Sequence, residues 1–187
     1  MIEPSLRSKL DHHLIAAQAK LYRSIAGGSF EVTPQWVRGY SGLQVPTFNI
    51  FMPLTHHGLT DETLADTAAY FFSRKVLYAV ELVHDHFPHG PDYLNERRYQ
   101  PLPPQPAMCL AGVPASGQLN PAVTIERVST VPGLTAICSL LHWVFDFPLH
   151  DIAKLYSAIQ LKDEVKNSIR HYLAFVNETP IGAGTVI

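Results

Sequence analysis

The densest group of side chains able to ligate a metal or move a proton is His84-Asp85-His86-Phe87-Pro88-His89. On an extended chain His84 and His86 point to one face, and His89 can come round after Pro88. Two or three neutral ligands with no cysteine nearby fall short of a structural zinc site, so a polar turn is expected here and no metal. His12-His13 and His56-His57 are sequence neighbours, which on a helix do not share a face, and they are expected in solvent. The two thiols lie in apolar runs, Met108-Cys109-Leu110 and Ile137-Cys138-Ser139, with no base beside either. They read as buried free cysteines, because nothing in the sequence points to an oxidising compartment. Ser139 sits inside an apolar helical pattern rather than on a Gly-x-Ser-x-Gly elbow. None of these patterns names a catalytic residue or a coenzyme-binding residue.

The elements that carry these side chains follow from periodicity and punctuation. Leu6, Leu10, Leu14, Ala17, Leu21 and Ile25 recur at helical spacing, which predicts a helix over 5–26 stopped by Gly27-Gly28. Short strands are expected at Phe30-Glu31-Val32 and Trp36-Val37, and a stronger one from Thr47 to Met52 between Pro46 and Pro53. Thr60-Asp61-Glu62 opens a second helix with a hydroxyl cap and two acids where the helix dipole favours them. A strand over Leu77 to Val83, a short helix over Pro91 to Arg98 and a strand over Ala107 to Ala111 follow, with Pro101 to Pro106 extended between the last two.

At Gly112 to Pro121 small residues and prolines replace the apolar pattern, which marks a linker. Beyond it the pattern predicts a strand at Val123 to Val128, a helix over Pro132 to Phe145 with proline at its start, and a helix over His150 to Gln160. The last seventeen residues, from His171, read as a hairpin turning at Asn177-Glu178-Thr179-Pro180.

Of the 187 residues, 47% are hydrophobic and 16% charged, with a formal net charge of −2, which excludes a strong basic field for nucleic acid or anionic membranes. The most apolar run, Leu134 to Phe147, is broken by His142 and Asp146 and is too short to span a bilayer. Charges and histidines stand where a secretory signal would be apolar, so a cytoplasmic location is expected. The α+β class follows, as a mostly antiparallel sheet flanked by helices.

The strand-helix-helix-strand-strand order over residues 122–187 resembles the opening of a GNAT-type, acyl-CoA-dependent N-acetyltransferase domain. Val123 to Val128 occupies the first strand, Leu134 to Phe145 the first helix, and Phe147-Pro148-Leu149 the loop before the second helix. His171-Tyr172-Leu173-Ala174-Phe175, a polar turn, and Pro180-Ile181-Gly182-Ala183-Gly184 look like the second and third strands. The order Trp36, Phe48-Asn49, a helix from Thr60, Tyr93-Leu94 with Tyr99, then Met108 resembles the degenerate accessory domain that precedes some members of the superfamily. The resemblance implies residues 1–111 as that domain, 112–121 as linker and 122–187 as a partial acetyltransferase unit.

It further implies transfer of an acetyl group from acetyl-CoA to a small-molecule or peptide amine, with an acceptor site bordered by Trp143, Phe145, Asp146 and Phe147. The sequence departs from the family where the coenzyme is held. In the family, backbone amides of a fourth strand and a Gln/Arg-x-x-Gly-x-Gly/Ala turn at the next helix grip the pyrophosphate. Gly182-Ala183-Gly184 lies on an expected strand and cannot serve as that turn. The chain is therefore expected to be weak or inactive by itself, as a truncated domain. The alternatives are a non-catalytic interaction protein that keeps half the fold, and a composite domain completed within the chain or in a homodimer through edge strands.

Overall fold

A computed structural model describes residues 4–103, 120–157, 161–162 and 168–187. The first helix, α1 (Pro4–Ser24), ends where Gly27 takes a φ of 79°, a left-handed position that glycine occupies without strain. Two hairpin strands follow, β1 (Ser29–Val32) and β2 (Trp36–Tyr40), and β3 (Ile50–Pro53) adds antiparallel to β2. Helix α2 (Asp61–Ser73) then crosses back, so that the two-residue β4 (Ala79–Val80) joins β3 in parallel. Helix α3 (Gly90–Glu96) closes this four-stranded sheet, ordered β1-β2-β3-β4.

Thr60 caps α2 as its sequence suggests. Its hydroxyl accepts from Thr63 N–H at 3.2 Å, while the Thr63 hydroxyl accepts from Thr60 N–H at 3.0 Å. The strand expected from Thr47 begins only at Ile50. Its first part is a 3-10 turn, Pro46–Phe48, because Pro46 sets the turn and Asn49 is drawn inward. Fully buried, Asn49 accepts from Ser41 N–H and its hydroxyl, both at 3.1 Å, and donates to the carbonyls of Leu43 at 2.8 Å and Leu77 at 2.9 Å. That last bond ties down the chain where a longer strand, Leu77 to Val83, was expected. Only Ala79–Val80 pairs.

Strand β3 is buried on both faces. Ile50 packs with Tyr22 of α1 and with Ile25 just beyond it, whereas Phe51 packs with Leu64 of α2 and Leu94 of α3. On β2, a Cβ at Gly39 would lie 2.7 Å from the Tyr22 ring, so only glycine lets α1 approach this closely.

The second sheet is ordered β5-β6-β7 and antiparallel throughout: β5 (Thr124–Arg127), β6 (Arg170–Val176) and β7 (Thr179–Val186). Between β5 and β6 lie α4 (Val131–Phe145), capped by the Thr130 hydroxyl with Pro132 in its first turn, and α5 (Leu149–Leu155). Leu134 and Ile137 of α4 bury against Leu173 and Phe175 of β6, covering one face of the sheet. Among the described residues, five α-helices and two mostly antiparallel sheets make the protein α+β. The strand expected at Ala107 to Ala111 and most of the linker fall outside the described residues.

The two sheets share packing. Leu155 at the end of α5 joins the cluster of Tyr22, Ile25, Leu43 and Ile50, and Phe147 meets Phe48 edge-to-face at 5.6 Å. Among the described residues no helix is long and apolar enough to cross a membrane.

Candidate functional site

Helix α4 ends because Asp146 adopts a left-handed conformation, φ 53°, and its N–H bonds back to the His142 carbonyl at 2.9 Å. The His142 Nδ1–H donates to the Phe147 carbonyl at 2.7 Å, which closes the turn into α5. This geometry rotates the last turn of α4 away from the sheet. Trp143 is 84% exposed, and Val144 and Phe145 are each 57% exposed. Phe145 stacks on Phe147 at 5.5 Å, and Phe147 in turn leans on Phe48. Side chains of this kind ordinarily pack a helix onto its sheet. Here the sheet is packed instead by Leu134 and Ile137, two to three turns earlier, and Trp143 and Phe145, on different sides of the last turn of α4, both project into solvent. The structure thus brings Trp143, Phe145, Asp146 and Phe147 to one corner.

A groove of about 510 Å³ opens elsewhere on the second sheet, lined by Pro121, Ala122, Thr124, Glu126, Phe175, Asn177 and Glu178. Asn177 and Glu178 are presented by a turn with both residues at positive φ.

Beneath the sheet lies a polar cluster that the sequence reading did not single out. His171 is buried, bonds through Nδ1 to the Thr185 hydroxyl at 2.9 Å, and faces the Tyr156 ring at 5.2 Å. Among the described residues its Nε2 has no hydrogen-bond partner. Burial holds its pKa below the ordinary 6.5, because an imidazolium there would lose its water. Burial also pushes up the Tyr156 phenol, opposed by the Thr185 hydroxyl, and the Cys138 thiol. A buried thiol with a raised pKa is a poor nucleophile, so Cys138 is a packing residue beside Ile137. The signal for His171 was available: it alternates with Leu173 and Phe175, which places all three on the buried face.

The histidine-rich segment meets the first helix. His86 Nε2 lies 3.5 Å from Asp11 Oδ2 of α1. Along the same helix, Gln18 Nε2 donates at 3.2 Å to Glu81, whose burial raises its pKa above the ordinary 4.5 while that bond opposes the shift. Among the described residues no three histidine, cysteine or acidic side chains converge as a metal site. Cys109 lies outside the described residues.

The first sheet holds a denser electrostatic assembly. Arg38 is almost fully buried, donates to Glu31 at 2.8 Å and Asp66 at 2.9 Å, and lies over the rings of Tyr70 at 3.9 Å and Trp36 at 4.9 Å. Arg97 binds Asp61 and lies 3.5 Å over the Tyr93 ring; the Arg97 bond, then the Tyr93 hydroxyl, hold the Asp61 carboxyl below its usual range. Both arginines are satisfied by acids and rings, and so serve structure.

Acetyl-CoA, which the family resemblance implies, does not fit the glycines at hand. Gly182, Ala183 and Gly184 lie opposite Ala174, Leu173 and Tyr172 in the β6–β7 ladder, so their backbone is held in a strand and not in a phosphate-binding turn. No protein-family model, curated protein or solved structure matches the chain.

Proposed function

We propose that the chain carries the acceptor side of an acyl-CoA-dependent N-acetyltransferase, with the α4–α5 corner as the wall against which an amine-bearing substrate rests. The observation that carries this reading is the antiparallel β5-β6-β7 order with α4 and α5 inserted between β5 and β6. It agrees with the strand and helix order of the family's opening half, and Trp143 at the end of α4 adjoins the loop that would border the acceptor there. The described residues supply apolar contact through Trp143, Phe145 and Phe147 and one charge, Asp146, to attract an ammonium group. Acyl transfer also needs a deprotonated amine and a polarised thioester carbonyl. No step is assigned to the coenzyme, because the described glycines do not hold it. We place the activity in the cytoplasm, in keeping with a free, buried Cys138, and infer that an open sheet edge takes a second copy as protein partner.

Two titrations test this. Calorimetry with acetyl-CoA is expected to show binding weaker than about 10 μM, or about −7 kcal/mol; tighter binding would mean the coenzyme site is built from other residues. Small amines and lysine peptides are expected to change the fluorescence of Trp143, and Trp143→Phe to abolish the change. A signal indifferent to every amine removes the acceptor role.

That last outcome would favour a second reading, a non-catalytic interaction module. Three consecutive exposed apolar side chains at 143–145 form the kind of surface that marks a protein contact.

A further inference from the structure

Helix α1 is fastened to the first sheet at two places of different kind. At its end Tyr22, with Ile25 just beyond, is buried with Leu43 and Ile50, and the Tyr22 ring lies against Gly39. Further back it is held by polar contacts with the segment that follows β4, Gln18 to Glu81 and Asp11 to His86. Asp11, Gln18 and Tyr22 follow one another at seven and four residues and so share one stripe of the helix. The Gln18 contact is incomplete. Its Nε2 donates to Glu81 Oε2 at 3.2 Å, but its Oε1 is buried and has no hydrogen-bond partner among the described residues. A buried amide oxygen left without a donor is costly, and an ionised carboxylate beside it has no proton to offer.

We propose that Glu81 carries a proton in the folded chain and donates it to Gln18 Oε1, closing a cyclic acid–amide pair, and that this proton latches the part of α1 before Tyr22 onto the segment 81–87. An amide and a carboxyl group each hold two polar atoms on one carbon. An amide that already donates to one carboxyl oxygen therefore sets its own oxygen beside the other when the two planes align. Only the protonated acid meets both atoms of the amide. Burial acts in the same direction and raises the Glu81 pKa above the ordinary 4.5, although the Gln18 N–H taken alone favours the carboxylate. The neighbouring groups leave that proton in place. From α1 the Tyr22 phenol is kept protonated by burial first and then by the charge of Glu81. Strand β3 offers apolar side chains and the Phe51 carbonyl, which accepts from Glu81 N–H at 2.9 Å. On its own segment His86 faces Asp11 and pairs with it when protonated, so that contact also strengthens as pH falls. The latch holds at full strength below about pH 4.5, where the released carboxyl is protonated too. As pH rises toward the folded value, the released form, which ionises first, gains ground, and above that value the gain levels off. The apolar contacts of Tyr22 and Ile25 do not titrate in this range, so the helix opens from its start and stays hinged at its end. The latch is independent of acetyl transfer.

Native-state amide exchange on the full chain tests this, corrected for the pH dependence of the exchange chemistry, with the Glu81 carboxyl carbon followed by NMR in the same samples. The chain carries Asp11→Asn throughout, so that His86 adds no pH-dependent pair. The amides of 8–18, past the unbonded first turn of α1, are the reporters. Their protection is expected to fall by up to about tenfold per pH unit from pH 4.5 to the folded Glu81 value and then level off, while that of 22–25 holds. Glu81→Gln supplies an amide that makes both bonds at any pH, so it should keep 8–18 protected and remove the slope. Gln18→Ala should release 8–18 already at pH 4.5, and alanine is the better helix former, so the loss cannot come from the helix itself. Protection of 8–18 that is the same on both sides of the Glu81 titration overturns the proposal. So does a slope that survives Glu81→Gln, a parallel slope at 22–25, or a helix unchanged by Gln18→Ala.

Discussion

The two sheets are close in strand number but differ in how completely they are covered. In the first, helices lie on both faces: Tyr22 and Ile25 on one side of β3, Leu64 and Leu94 on the other, with charges such as Arg38 and Glu31 absorbed into pairs and aromatic stacks. In the second, only the face toward α4 and α5 is covered. Strand β5 is exposed along its whole length, β7 nearly so, and the end of α4 projects three apolar side chains into water. A covered sheet stores stability and offers little to a partner. A half-covered sheet gives up burial and leaves apolar surface and free backbone groups where another molecule can meet them. On this ground the first region is scaffold, and the second is where function is sought.

The sharpest way to break that contrast is to empty the scaffold. Phe51→Ala removes a fully buried ring between Trp36 and Leu64 and should cost about 4 kcal/mol. Leu155→Ala, at the cluster the two regions share, should cost about 3 kcal/mol. Chemical denaturation of the full chain measures both. If Leu155→Ala proved neutral, the second sheet would be self-sufficient and the shared cluster incidental.

The two regions should also respond to pH with opposite sign. Glu81 has a raised pKa when folded, so the native state holds more protons than the unfolded one and stability falls as pH rises from about 4.5 through the folded value. His171 has a lowered one, so the unfolded state takes up protons first and stability is lost as pH falls below about 6.5. Denaturation midpoints of Glu81→Gln and His171→Gln, compared with the parent between pH 5 and pH 7.5, should flatten one slope each. Slopes of the same sign for both would remove the contrast.

The smallest effect on stability is expected at Trp143. Trp143→Ser should change the unfolding free energy by no more than about 0.5 kcal/mol, because the ring touches little that is buried. A cost above about 2 kcal/mol would place Trp143 in the core after all.

Helix positions were legible where a local signal was complete. The Thr60 hydroxyl with Asp61 and Glu62 marked the start of α2, and Pro132 marked the first turn of α4, because capping and proline geometry act within one helical turn. The hairpin of β6 and β7 was legible for the same reason, as its turn residues lie between two apolar runs. Boundaries shifted where distant atoms competed for the backbone. Asn49 is hydrogen-bonded to Ser41 and Leu77, and this shortened both neighbouring strands in a way that no window of adjacent residues could show.

For the site, the sequence by itself placed Trp143, Phe145, Asp146 and Phe147 at the end of a helix and before a proline, and it determined the α+β pattern of the chain. It could not decide which way those rings would turn. That depended on whether Leu134 and Ile137 could fill the space above β6 unaided, and they do. Nor could it decide that His86 would meet Asp11 or that His171 would sit beside Tyr156. Such choices belong to tertiary structure because each joins groups far apart in sequence, and only the closing of the chain sets the distance and the dielectric between them.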